Sequence, residues 1–272
     1  MNLQINASAK MEYIQRVFLR VQDYMQKDHE LEELMSFLDS EPPEFRSVAY
    51  ESASMEIGMR DLSNTKELNY WKLFYPRATN VHTFHMEIGL GWAFAKAEIP
   101  VDAYLKSLEP VMIWMIFDGI GYYHGLFKGR RTVKSQLLPE GLDGQDLSGF
   151  DQGLGRRLWY IAKGEVLEAA DLIKSFQPSR HHDLWRGVGI ACGYVGGNRK
   201  AEMELLLDLS GSCKKQLQKG IALAAMSRKA SDSVSEDIEQ ACEIICGMPL
   251  MDVLILETGS GEHDYSKSGI MS

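Results

Sequence analysis

The sequence predicts an all-α protein, on three observations. Apolar residues recur at helical spacing along most of the chain, as in Met11, Ile14, Val17, Phe18, Val21 and Met25. No segment sustains the strict alternation of a half-buried strand between turn residues. A Gly or small-residue pattern returns inside apolar stretches at Gly58, Gly91, Gly121, Gly155, Gly189 and Gly220, with intervals of 33, 30, 34, 34 and 31 residues. A period near 34 residues with a helix pair per unit is the signature of tetratricopeptide-like arrays, in which each pair buries its apolar face on the next. The expected architecture is therefore antiparallel helix pairs stacked as divergent repeats, an α-solenoid or a closed helical array. Chance recurrence of glycine in an irregular bundle is the alternative.

The elements follow in order. Lys10 to Gln26 reads as a first helix, and Asp28 as the cap of a second that runs through Phe37. Pro42-Pro43 opens a third, through about Met59, because proline is tolerated in a first turn. A short fourth runs from about Lys66 to Phe74, before Pro76. The segment HTFHMEIGLGWAFAK is apolar on nearly every face. Its Gly89 and Gly91, each costing a helix about 1 kcal/mol against alanine, mark a close approach of another backbone. Val101 to Leu108 follows, then a helix from Pro110 to about Phe127 that carries Gly119 and Gly121. Lys128 to Gly149 reads as a long polar loop between two halves, with the Gly129-Arg130-Arg131 run on a solvated surface. Helices resume at roughly 150–162, 164–176, 179–194, 198–209, 211–229 and 234–247. The expected division is N-terminal helices over 1–43, a repeat domain over 44–256 with halves 44–128 and 150–256 joined by the loop 129–149, and a disordered polar tail over 257–272.

Composition bounds the function class. The chain has 272 residues, 45% apolar and 25% charged, in the ordinary soluble range. Its net charge of −9 argues against nucleic acid or anionic membrane as the main partner. The N-terminal stretch lacks the apolar region of a signal peptide. The longest apolar run, Val111 to Phe117, is far shorter than the roughly 20 residues that span a bilayer. These features read as no transmembrane segment and a cytoplasmic location. Cys242 and Cys246, at i,i+4 in an apolar run, read as buried thiols and not as half of a zinc site.

Candidate chemistry lies in carboxylates beside the small residues: Glu51 before Ser52-Ala53, Glu87 before Ile88-Gly89, Asp118 before Gly119 and Asp151 before Gln152-Gly153. Buried in equivalent units, these could act as general acids or bases, or hold a divalent cation such as Mg²⁺. Alternatively they pair internally with Arg156, Arg157, Arg180 or Arg186. Among the histidines, His124 sits in an aromatic setting and is the first to test. His82 and His85 share a helix with Glu87, but His85 and Glu87 do not share a face. No His-Glu-x-x-His or Glu-x-x-His pattern marks a metal helix, so the metal remains unknown. The Gly-x-Gly segments have no preceding strand and complete no phosphate loop, and no nucleophile elbow is present. Trp92, Trp114, Tyr122, Tyr123, Trp159, Tyr160, Trp185 and Tyr194 recur within the glycine-rich helices and are candidates for an aromatic pocket wall, or for core filling.

Six ordered segments, YESASM, EIGLGWAFA, DGIGYYHGLF, FDQGLGRRLWYI, DLWRGVGIACGYVGG and ACEIICG, resemble the UnbL-like family across about Phe45 to Gly247. That family is a domain of unknown function met mainly in enediyne and other bacterial natural-product gene clusters. The resemblance points to Glu51, Asp118, Gly119, Gly121, His124, Gly125, Asp151, Gly155, Arg156, Trp159, Asp183, Trp185, Gly187 and Gly189. This chain departs from the family's pattern at Ser52, where glycine is usual, and at Glu87, where a neutral residue or histidine is common. The resemblance implies a biosynthetic setting and no settled reaction. The leading expectation is a protein that encloses a polyene, polyketide or isoprenoid intermediate in an aromatic, carboxylate-bearing cavity, with cyclisation or rearrangement by acid–base or Mg-assisted chemistry. A non-catalytic adaptor for carrier proteins or biosynthetic enzymes is the alternative. A metal-dependent oxidative enzyme using His124 is a third.

Overall fold

The computed structural model describes residues 6–64, 67–104, 108, 113–142 and 144–259. All regular structure among them is helical. The elements are α1 (Ala7–Tyr24), α2 (Leu31–Asp39), α3 (Pro43–Asn64), α4 (Asn69–Phe74), α5 (Thr79–Ala97), α6 (Ile113–Phe127), α7 (Gly144–Ile161), α8 (Val166–Lys174), α9 (His181–Val195), α10 (Lys200–Leu209), α11 (Lys214–Ala230), α12 (Glu236–Ala241) and α13 (Leu250–Gly259). Long helices alternate with short ones through most of the chain.

The long helices α3, α5, α6, α7, α9 and α11 pack each on the next in chain order. They run in the same direction at an almost constant offset. Ser47 meets His82 and Glu51 meets His85 across α3 and α5. Across α6 and α7, Gly149 lies under the Trp114 carbonyl while Gly125 lies against Leu154 and Arg157. The short helices α8 and α10 pack on one another as a second layer. Parallel long helices can sit this close only where one gives up its side chain. A Cβ on Gly91 would lie 2.0 Å from the Ile116 carbonyl oxygen and 3.1 Å from the Gly119 Cα. Gly189 and Gly220 repeat that contact between α9 and α11. The sequence reading put the glycines where the two helices of one pair cross. They lie instead between long helices of successive units, because those, and not the short partners, approach backbone to backbone.

No break in packing occurs at residue 43. The α1 helix lies on α3 with the same offset: the Ser52 hydroxyl donates to the Phe18 carbonyl (2.8 Å), and Gln22 donates to Glu56 (3.0 Å), each across 34 residues. Ser52, one of the two positions at which this chain departs from the resembled pattern, is thus one of the ties that hold α1 on α3. The first long helices also meet the last. Lys10 pairs with Glu44 (3.0 Å) and Asp237 (2.5 Å), Arg228 donates to the Glu44 carbonyl, and α11 touches α5.

Other boundaries shift for local reasons. Asn6 accepts from the Ala9 amide and starts α1 three residues earlier than the apolar stripe indicates. Asp28 does not cap α2, whose N-cap is Glu30; it pairs with Arg60 at 3.2 Å. The stretch 128–149 is not a plain loop. Lys128 to Thr132 stays hydrogen-bonded to the preceding helical backbone, Arg130–Lys134 makes a π-helical turn, and α7 already begins at Gly144. Arg130 and Arg131 are exposed, as read from the sequence. The chain forms α13 through Gly259, past the boundary set at 256, and the rest of the tail, 260–272, lies outside the described residues. Cys242 is a buried thiol as read from the sequence, as is Cys192, and burial pushes both pKa values up to about 12; Cys246 is only partly buried. Among the described residues no helix is long and apolar enough to cross a membrane.

Candidate functional site

A cavity of about 670 Å³ lies between α1 and the C-terminal halves of α5, α6 and α7, within the range that encloses a small organic ligand. Its walls are aromatic and apolar. Phe18 from α1 packs on Trp92 of α5 (4.9 Å between ring centres), Trp92 stacks on Tyr122 of α6 (5.1 Å), and Met55 and Phe127 complete the lining. Its floor is polar and comes from four of the long helices: Glu51 on α3, His85 on α5, Arg156 on α7 and Tyr194 on α9.

The register of the helices makes this floor. Residues about 34 apart sit side by side, so Glu51 comes opposite His85, and His85 Nδ1 lies 2.7 Å from Glu51 Oε2 with both side chains buried. Burial lowers the His85 pKa from its usual value, against the pull of the Glu51 carboxylate. A neutral ring that donates from Nδ1 keeps its lone pair on Nε2, the form in which an imidazole accepts a proton. The same offset pairs Asp118 with Gln152 (2.7 Å) and Gln152 with Arg186 (2.5 Å). Arg156, one turn beyond Gln152, also donates to Asp118, and its guanidinium sits 5.2 Å from the centre of the Tyr122 ring. Burial disfavours the Arg156 charge, but Asp118 and Glu51 outweigh it and hold the guanidinium protonated. Burial raises the phenol pKa of Tyr122, Tyr160 and Tyr194, so all three remain protonated donors. The cavity thus combines a neutral imidazole oriented by a carboxylate, a fixed buried cation and hydroxyl donors, inside an apolar wall.

The residues singled out from the sequence distribute as follows. Glu51 lines the cavity, as do Trp92, Tyr122 and Tyr123. Asp118 is fully buried behind Arg156 and borders only a small cleft of about 30 Å³ beneath the floor. Burial pushes its pKa up, while Arg156 and Gln152 pull against that. Asp151 is bound by the Arg180 guanidinium (Nε to Oδ2 2.9 Å) and does not line the cavity. Glu87 accepts from the Tyr75 hydroxyl (2.6 Å), also away from the cavity. For Asp118 and Asp151 the internal-arginine alternative describes the geometry, whereas Glu87 has a tyrosine hydroxyl as its partner. His124 is half-buried edge-on to Phe150, with its pKa lowered to about 4 by burial and by Lys128 and Arg131, and it is not in the lining. Trp159 and Trp185 are core residues, and Trp114 is partly buried outside the cavity. Among the described residues no group of three or more His, Cys, Asp and Glu side chains converges to hold a metal ion, so the magnesium expectation finds no ligand set there.

Tyr160 and Tyr194, read among the recurring aromatics, also line the cavity, whereas sequence reasoning missed His85 as a lining residue. The signal was available: adding the 34-residue period to Glu51 gives residue 85, and subtracting it from Arg156 gives Tyr122, its cation–π partner.

The fold and the site define an all-helical protein with an aromatic cavity over a polar floor. Residues 2–267 match the family described as "Protein of unknown function (DUF1702)", and the chain belongs to that family. The coarse resemblance, to a family of unknown function spanning most of the chain, is thereby supported. Comparison with curated proteins and with solved structures found no match.

Proposed function

We propose that this protein binds a hydrophobic intermediate of polyene, polyketide or isoprenoid type in the cavity and moves a proton on it, promoting isomerisation or cyclisation. The observation that carries this reading is the Glu51–His85 pair set beside Arg156 on the floor of an aromatic cavity. His85 Nε2 would accept a proton from a C–H beside a carbonyl. Glu51 would stabilise the imidazolium that results. Arg156 and the Tyr160 hydroxyl would stabilise charge on the carbonyl oxygen, where preorganised donors are most effective. The proton then returns from Nε2 to another carbon, so the step is redox-neutral. Asp118 takes the part of a positioning residue that fixes Arg156. The biosynthetic setting rests on the resemblance to the UnbL-like family, and the arrangement of units on the 34-residue period with its similarity to tetratricopeptide arrays.

The adaptor reading calls for an open concave groove of exposed residues; the mouth of the cavity does carry exposed side chains such as Gln15, Leu19 and Phe127, and it is the buried polar group set at its base that supports the small-molecule reading. The test is complementation. A producing strain lacking the gene is supplied with the wild-type, Glu51→Gln or His85→Gln form, and its metabolites are compared. The expected result is accumulation of an unconverted precursor in both variants. Full restoration of the wild-type metabolite profile by both would overturn the catalytic reading.

A further inference from the structure

The charges around the cavity are unevenly paired. Lys96, Arg156, Arg157 and Lys163 line it, against Glu12 and Glu51. Two of the cations are accounted for: Asp118 pairs with Arg156, and Glu56 lies 3.9 Å from Lys96. Among the described residues no carboxylate reaches Arg157, and none reaches Lys163. Arg157 stands on α7 one residue after Arg156, partly buried, with the Tyr122 hydroxyl as a hydrogen-bond partner. Its Nε is buried without a hydrogen-bond partner, as is the indole N–H of Trp92, which stacks on that same Tyr122 ring. Buried donors without acceptors are uncommon, because each forfeits its hydration for nothing. Three such groups belong to residues lining this cavity, the third being the Tyr194 hydroxyl on its floor, and one of them sits on a guanidinium that no carboxylate neutralises. Glu12 is exposed on α1 and does not meet them.

We infer that the ligand of this cavity is an amphipathic acid, whose carboxylate is bound by the Arg157 guanidinium, and whose apolar chain runs along the Phe18, Met55 and Tyr122 wall toward the Glu51–His85 floor. The inference rests on the proposed binding role of the cavity and adds the chemical class of the ligand. A guanidinium suits a carboxylate because its N–H groups match the two oxygens in one plane. Of the two lining cations that no carboxylate reaches, Lys163 is exposed at the rim and Arg157 is partly buried within the wall.

The experiment is a fluorescence titration of the full chain with cis-parinaric acid, a conjugated polyene fatty acid, and with its methyl ester. For the wild type the acid is expected to bind about tenfold tighter or better, the scale of a charge-assisted hydrogen bond. Raised NaCl should weaken the acid alone, an arm that needs no variant. Arg157→Gln should bring the acid to the affinity of the ester and leave the ester within about twofold, while Arg157→Lys keeps part of the preference. Equal wild-type affinity for acid and ester overturns the anionic head and leaves hydrophobic binding standing. So does an Arg157→Gln variant that weakens both probes alike, since the residue would then serve packing only. Binding of neither probe to folded wild-type protein overturns both the inference and the binding role beneath it.

Discussion

Substituting Gly153 by alanine separates the packing role of the glycines from helix propensity. An added Cβ would stand 1.8 Å from the Asp118 carbonyl oxygen and 2.6 Å from its carbonyl carbon, on the facing long helix. Real Cβ contacts do not fall below 3.0 Å, so α6 and α7 must part by at least 3.0 − 1.8 = 1.2 Å at this point. The obstacle is backbone, which cannot rotate away as a side chain can. Overpacking of this kind costs about 1–3 kcal/mol or more, and a gap of about 1 Å forfeits up to half of each dispersion contact along the interface. Helix propensity returns at most about 1 kcal/mol. The net expectation is a loss of about 2 kcal/mol, or roughly 4–8 °C in melting temperature at about 2–4 °C per kcal/mol for a chain of this size. Gly129→Ala is the control: a Cβ there meets nothing within 4 Å, and its melting temperature should stay near that of the wild type. The assay is thermal and urea unfolding followed by far-UV circular dichroism. A Gly153→Ala protein as stable as the wild type would refute the claim that backbone contact between long helices sets this interface.

Three further outcomes follow from the same geometry. Arg156→Met leaves Asp118 buried without its cation and should cost about 3–5 kcal/mol, whereas the double variant with Asp118→Leu should recover much of it; additive single costs in urea unfolding would count against a coupled pair. Ser52→Ala removes the tie to the Phe18 carbonyl (2.8 Å) and should destabilise the whole molecule by about 1 kcal/mol, raising hydrogen exchange in α1 and in the other long helices alike; a rise confined to α1 would show that it opens alone. His82 is buried against Ser47 and Tyr50, and burial lowers its pKa to about 3 from 6.5. The unfolded chain therefore binds a proton here that the native one does not, so stability is complete above pH 6.5 and falls as pH drops from 6.5 toward 3. The slope approaches about 1.4 kcal/mol per pH unit for this group. His82→Gln should flatten the curve between pH 6.5 and 5, and an unchanged slope would exclude this source.

The helical class and the 34-residue offset were legible because backbone contact demands a small residue at fixed intervals, and the sequence displays those as glycines. The α1 helix was set apart because it carries no glycine: Ser52 supplies the tie from the opposite side. The start of α7 was hidden by Gly144 and Gly149, which read as loop although Gly149 packs under the Trp114 carbonyl. Within the site, Glu51 and the Trp92–Tyr122 wall could be anticipated from buried polarity and aromatic content. Which carboxylate faces the cavity could not, because Asp118, Asp151 and Glu87 have the same sequence surroundings as Glu51. What separates them is the partner that the register delivers: Arg156, Arg180 and Tyr75 for the first three, His85 for Glu51.

The bonds from Lys10 to Asp237 and from Arg228 to the Glu44 carbonyl bear on cooperativity. A linear stack of units frays from its ends, because an outermost unit has one neighbour to lose. Here the first and last long helices are tied into the same contacts, so neither is an outermost unit in that sense. Peeling one away breaks contacts of the other, and unfolding should proceed as one transition with no partially unzipped species. The cavity wall supplied by α1 is then as durable as the whole molecule.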